Sequence, residues 1–273
     1  MARPRPIKAI RAKTRSETAF ARLTRSGALD FANHLAALMA LDDPEGPHKA
    51  RVALRRLRAT LTAFRPLLRK RAYARLKSEV RDRAKTIGRL RDADVLAEAF
   101  GLPDLKTAAA DLRVKTRATL WKSRAASWAK GLPDRFAAAD RHRKGKRAKA
   151  ARRAPVAGLA TAALNDIWRR CKASGPNLSR LSDRRRHALR KNLKTLRYLC
   201  DQFRPVWPAA DAAGFLHTLS ALQDDLGRLN DHVMARAQGL ALPDDPALLP
   251  HAQGLWHDLR HRPVWWRRGK AKS

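Results

Sequence analysis

Along most of the chain, apolar residues recur every three to four positions with cations between them, the period of an amphipathic helix rather than of a strand. The clearest case runs from His48 to Pro66. Wound at about 100° per residue, His48, Arg51, Arg55 and Arg58 fall on one stripe, and Leu54, Leu57, Leu61 and Phe64 fall on the opposite side. The same pattern, punctuated by breakers, predicts helices over about 16–41, 48–66, 71–100 and 104–130 in the first half of the chain. In the second half it predicts helices over about 156–173, from His187 to Pro205, and over about 209–239 and 246–262. The stretch Asp42-Asp43-Pro44-Glu45-Gly46-Pro47 and the Gly101-Leu102-Pro103 and Gly175-Pro176 turns set the main breaks, while Gly27 weakens the middle of the first helix. Few β-branched residues and many Ala, Leu and Arg agree with an all-α chain. Four helices per half, joined by short loops, is the plan of a four-helix bundle.

The His48 stretch occurs twice. From His187 the chain again carries a histidine followed by cations at the same places: His48 pairs with His187, Arg51 with Arg190, Arg55 with Lys194 and Arg58 with Arg197, at a constant offset of 139 residues. Phe64-Arg65-Pro66 returns as Phe203-Arg204-Pro205, and Gly88-Arg89-Leu90-Arg91-Asp92 as Gly227-Arg228-Leu229-Asn230-Asp231, at the same offset. This is an internal duplication. It divides the chain into a basic arm (1–15), a first repeat (16–140), a basic linker (141–155), a second repeat (156–262) and a basic tail (263–273). The arm reads as disordered and free of acids before Glu17, and the linker, which could also be an extension of the fourth helix, has no acid from Arg141 to Asn165.

Charge changes the picture next. The chain has 273 residues, with 60 Lys and Arg against 24 Asp and Glu and a net charge of +36. Ordinary solvated helix faces mix signs, because like charges one turn apart repel. A stripe of one sign, in a chain this basic, needs an anion: polyphosphate, nucleic acid or an anionic surface. Hydrophobic content of 44% is too high for a wholly disordered basic tail. Cys171 and Cys200 are read as buried free thiols of a reducing compartment, with the cytoplasm as the expected location. No run of about 18 apolar residues suggests a membrane span, and the basic start has no apolar core of the secretory type.

The paired motifs, His-x-x-Arg-x-x-x-Arg/Lys-x-Leu-Arg (His48, His187) followed by Leu/Ile-Gly-x-x-x-Asp (Ile87-Gly88 to Asp92; Leu226-Gly227 to Asp231), resemble those of the CHAD family, the conserved histidine α-helical domain. The resemblance spans roughly residues 16–262. It implies two four-helix bundles related by a pseudo-twofold axis, with basic helix faces lining a positive groove or pore that binds inorganic polyphosphate. Sulfate or phosphate would then mimic the ligand, and storage granules would be a natural place for the protein. Many members carry a triphosphate-tunnel domain as well. No Glu-x-Glu-x-Lys segment of that kind occurs here, so the chain resembles a stand-alone, non-enzymatic member.

The polyphosphate-binding residues expected on this basis are His48, Arg51, Arg55, Arg56, Arg58, Arg81, Lys85 and Arg89 in the first repeat, and His187, Arg190, Lys191, Lys194, Arg197 and Arg228 in the second. Arginine offers phosphate a planar fork and lysine a point charge, and a histidine beside phosphates gains protonated character. Each histidine could alternatively cap the start of its helix. Thr195 replaces the cation of Arg56, Lys191 stands opposite Val52, and Asp224 stands where the first repeat has Lys85, so the first repeat is expected to carry more of the binding charge. Asp92 and Asp231 read as structural partners that orient Arg58, Arg197 or a neighbour. Gly88 and Gly227 read as places of close helix–helix approach. Trp121, Trp128, Trp168, Trp207 and Trp256 are expected in cores. His217, His232, His251, His257 and His261 read as surface residues, with no metal site. No cofactor or catalytic cluster is expected. The rival function is general nucleic-acid or chromosome association through the arm and linker, without a helix-turn-helix or aromatic RNA-binding motif in support.

Overall fold

The computed structural model describes residues 9–141, 145–208, 212–237, 239–240 and 242–268, and among them the chain is all-α with no strand. Most of the arm (1–8), part of the linker (142–144) and the end of the tail (269–273) lie outside the described residues. The chain divides into two compact units: Thr14–Ala154, and Pro155 onward joined by Ile10–Lys13.

The first unit comprises α1 (Ser16–Ala40), α2 (Glu45–Ala63), α3 (Lys70–Phe100), α4 (Pro103–Lys122), α5 (Ala125–Arg141) and α6 (Lys146–Arg153). α1 packs on α2 and α5, α2 on α3, and α3 on α4, so α2 lies between α1 and α3. Its core is aromatic at both ends, with Phe20 against Phe64 at 5.3 Å between ring centroids and Phe31 edge-on to Trp128 at 5.8 Å. Leu54, Leu57, Leu61 and Phe64, the apolar side of the cation-bearing helix, are fully buried.

The second unit comprises α7 (Val156–Lys172), α8 (Asp183–Phe203), α9 (Ala213–Arg236), α10 (Leu248–His261) and α11 (Trp265–Arg268). α8 packs on α7 and α9, and α9 on α10. Trp168 meets Phe215 and Trp256 edge-on, and Phe215 meets Trp266. The basic tail is therefore anchored by two buried rings, Trp265 and Trp266. Cys171 and Cys200 are buried free thiols, and burial raises both pKa values well above the usual thiol range.

Four sequence expectations need correction. The helix expected over 104–130 is two helices, because the chain turns at Ser123–Arg124, where Arg124 adopts a positive φ of 50°. A left-handed residue after a helix is normally Gly or Asn, so an arginine there gives no warning. The basic linker is helical in part, as α6, and is pinned where Ser16 donates its backbone N–H and hydroxyl to the Ala154 carbonyl. The described part of the arm is docked rather than free: Ile10 and Ala12 are buried, and Ala157 N–H donates to the Ala12 carbonyl. Trp121, placed in a core, is 77% exposed, whereas Trp128, Trp168, Trp207 and Trp256 are buried as expected.

Candidate functional site

α2 begins at Glu45, inside the stretch read as a breaker. Pro47 is tolerated there because first-turn N–H groups have no partner within the helix. The Asp43 carboxylate accepts the Gly46 N–H at 2.8 Å and supplies the cap. His48 therefore sits past the first three residues of α2, and His187 lies four residues into α8, so neither caps a helix. Gly46 is required by packing: a Cβ there would sit 3.0 Å from the Leu38 backbone nitrogen. The loop before α2 is gripped from α4. Arg117 donates to the Leu38 and Leu41 carbonyls and pairs with Asp42, while Arg113 donates to the Asp43 carbonyl. Arg113 also forms a buried pair with Asp94 at 2.9 Å. Burial raises the Asp94 pKa even so, against the pull of Arg113, because its Oδ2 is buried with no hydrogen bond among the described residues.

On α2, Arg51, Arg55 and Arg58 are half-buried, while His48 and Arg56 are exposed. Arg51 crosses to α3. Its Nη1 pairs with Asp92 at 2.8 Å, and its guanidinium lies over Gly88, whose Cβ would come within 3.4 Å of Nε. Gly88 thus makes room for a guanidinium rather than for a neighbouring helix backbone, and the partner of Asp92 is Arg51 rather than Arg58. Lys85, Gly88 and Asp92 follow at steps of three and four, so they share one face of α3 with Arg51 against it. Arg81, on the same stripe, pairs with Asp82 at 3.3 Å and donates to the Ser78 hydroxyl. Arg55, Lys85 and Arg89 form no ion pair among the described residues.

The second unit repeats the central contact. Gly227 lies under Arg190, with the glycine's Cβ position 3.8 Å from Nη2. Here the histidine is held as well: His187 Nδ1 lies 2.6 Å from Asn230 Oδ1. This contact fixes the orientation of the ring and leaves Nε2 on its other side for a further partner. Lys194 is half-buried and Lys191 exposed. Arg197 is oriented by Asp201 on its own helix, at 3.2 Å, and not by Asp231, which forms no ion pair among the described residues. Arg228 is engaged by Asp245 at 2.7 Å. The loop before α8 is gripped from α10, as its counterpart is from α4. Gln253 accepts the Leu178 N–H and donates to the Pro176 carbonyl, and Trp256 and Arg260 donate to the Gly175 carbonyl.

Sequence reasoning missed Asn230 and the loop-gripping residues Arg113, Arg117, Gln253 and Arg260. Their partners are backbone carbonyls and amides or distant side chains, which leave no mark on the periodicity. Among the described residues no group of three or more His, Cys, Asp or Glu side chains is arranged to hold a metal ion, and no helix is long and apolar enough to cross a membrane.

The family model of the CHAD domain matches residues 27–238, a span that includes both histidine stripes and both glycine–aspartate motifs. The chain belongs to the CHAD family. Among solved structures, the CHAD domain from the plant Ricinus communis is similar with a TM-score of 0.71 at 19% identity, covering 100% of this chain and 99% of that one. PptA from Streptomyces chartreusis is similar with a TM-score of 0.52 at 20% identity, covering 91% of this chain and 95% of that one. At such identities the likeness concerns the fold. No curated protein matches the sequence.

Proposed function

We propose that this CHAD protein is a non-enzymatic binder of inorganic polyphosphate, through the cation-bearing faces of α2 with α3 and of α8 with α9. The observation that carries the reading is the duplicated arginine laid over a glycine, Arg51 on Gly88 and Arg190 on Gly227. A guanidinium seated against a neighbouring helix has fewer orientations open to it, so less side-chain entropy is lost when phosphate oxygens arrive. Around each lies a set of half-buried cations whose repulsion an extended polyanion relieves. Two such faces in one chain favour long ligands, because the second engagement is intramolecular. Acids engage two of the expected cations in each repeat, Arg51 and Arg81 in the first and Arg197 and Arg228 in the second, and the first repeat has the larger remainder, with Arg55, Lys85 and Arg89 in no ion pair among the described residues.

Changing His48, Arg51, Arg55 and Arg58 together to Ala is expected to remove tight polyphosphate binding while leaving helicity intact, because none of the four is part of the apolar side of α2. Unchanged binding of long polyphosphate in moderate salt would show that the face is wrongly assigned. The affinity of the native protein is expected to fall steeply with salt through counterion release. The rival reading, general nucleic-acid association, is separated by competition: polyphosphate is expected to displace DNA at much lower phosphate concentration.

A further inference from the structure

The opposite side of α3 carries a second basic feature. On α3, Arg75, Glu79 and Arg83 repeat at steps of four, and their stripe is centred about 140° around the helix from that of Arg81 and Lys85, so it faces away from α2. There the start of α3 and the middle of α5 enclose a recess of about 600 Å³ walled by Arg69, Lys70, Arg71, Arg75 and Arg135. Ala72 and Ala138 also line it, and side chains that stop at Cβ leave the space open. Among the described residues no acid lines this recess.

A neighbouring recess shares Arg135 and is lined by Arg83, Arg124, Trp128 and the one acid, Glu79. Glu79 is fully used as a bracket. Its Oε2 accepts from Trp128 Nε1 at 2.9 Å and Arg135 Nη1 at 3.0 Å, and its Oε1 lies 3.7 Å from Arg75 Nε. Trp128 in turn carries the Arg83 guanidinium at 3.9 Å from its ring centroid. Arg83 Nε is buried with no hydrogen-bond acceptor among the described residues, and burial lowers the guanidinium's pKa. Arg124 is held at positive φ, a conformation that disfavours any residue with a Cβ. Its side chain lines this recess. Among the described residues the two adjoining recesses together carry seven cations and one carboxylate, which is already shared among three donors.

We propose that this side of α3 and α5 is a second anion site, distinct from the α2 face, that takes a short phosphoanhydride chain such as tripolyphosphate. Arginine forks match phosphate oxygens in pairs, and several closely spaced phosphates suit cations spread over adjoining recesses better than a single anion does. The site does not depend on the α2 face. The test uses inorganic tripolyphosphate with the full chain at low salt, read by hydrogen exchange. Protection is expected in residues 70–83 and 124–138, and it should persist when His48, Arg51, Arg55 and Arg58 are all Ala. The double variant Arg71→Ala with Arg135→Ala, both at exposed positions, is expected to lose that protection, with affinity at this site falling at least tenfold. Protection that survives this double variant overturns the site. Protection that vanishes when only the α2 cations are removed assigns it to the α2 face and overturns the proposal. Equal protection by sulfate at matched ionic strength overturns the phosphoanhydride assignment.

Discussion

A glycine inside a helix is ordinarily a loss of about 1 kcal/mol relative to alanine, and Gly88 and Gly227 sit inside α3 and α9 at matching places. What they have in common is an arginine from the adjacent helix lying on the bare backbone. At Gly88 the Arg51 Nε stands 3.4 Å from the position of an added Cβ, an ordinary contact distance, so one methyl fits. Gly88→Ala is therefore expected to keep or slightly raise thermal stability and to leave polyphosphate binding nearly intact. Gly88→Leu places a branched side chain where the guanidinium lies. It is expected to move Arg51 off Asp92 and weaken binding several-fold, with little change in stability, because the Arg51–Asp92 pair is partly exposed and such pairs contribute about 1 kcal/mol or less. Melting curves alongside polyphosphate titration of the two variants check this, and equal binding by both would show that the orientation of Arg51 is immaterial.

Among elements, the recurring device is a late helix that holds the loop ahead of the cation-bearing helix. In the first unit it rests on charge, through Arg113, Arg117 and the buried Asp94. In the second it rests on neutral and aromatic donors as well, through Gln253 and Trp256. The charged version is sensitive to pH. Because burial raises the folded Asp94 pKa above that of the unfolded chain, the folded state holds this proton more tightly. Stability therefore falls as pH climbs from the ordinary carboxylate value of about 4 through the folded pKa, and it is regained on acidification. Asp94→Asn replaces a carboxylate whose burial the fold already disfavours with a neutral side chain, so at neutral pH it is expected to cost less than the ~3–5 kcal/mol of an ordinary broken buried pair. Its deficit relative to the native protein should widen as pH is lowered towards about 4, since only the native side chain can take up the proton. Denaturant midpoints at several pH values measure this, and a deficit that narrows on acidification would contradict the assigned direction.

For the whole chain, a net charge of +36 opposes compaction. Raising monovalent salt from about 0.01 to 0.1 M shortens the Debye length from about 30 to 10 Å, so the melting temperature is expected to rise. Polyphosphate is expected to raise it further at far lower total anion, because it binds the folded state selectively. A thermal shift no larger than that of chloride at equal ionic strength would remove the case for a specific site. Much of this was readable along the sequence. Helix period, breaker placement, the 139-residue duplication and the sidedness of α2 are local or repetitive properties, and a chain with so few β-branched residues and so regular a period has helix as its one way of burying Leu54, Leu57 and Leu61. Which arginine meets which carboxylate was beyond its reach. Asp92 lies 41 residues from Arg51 and Asp94 lies 19 from Arg113, and ion pairs at such separations are chosen by helix packing, because many arginines in the sequence could serve equally well. The turn at Arg124 and the burial of Ile10 and Ala12 belong with these: tertiary contacts overrode a local preference that on its own pointed to continuous helix in one case and a free arm in the other.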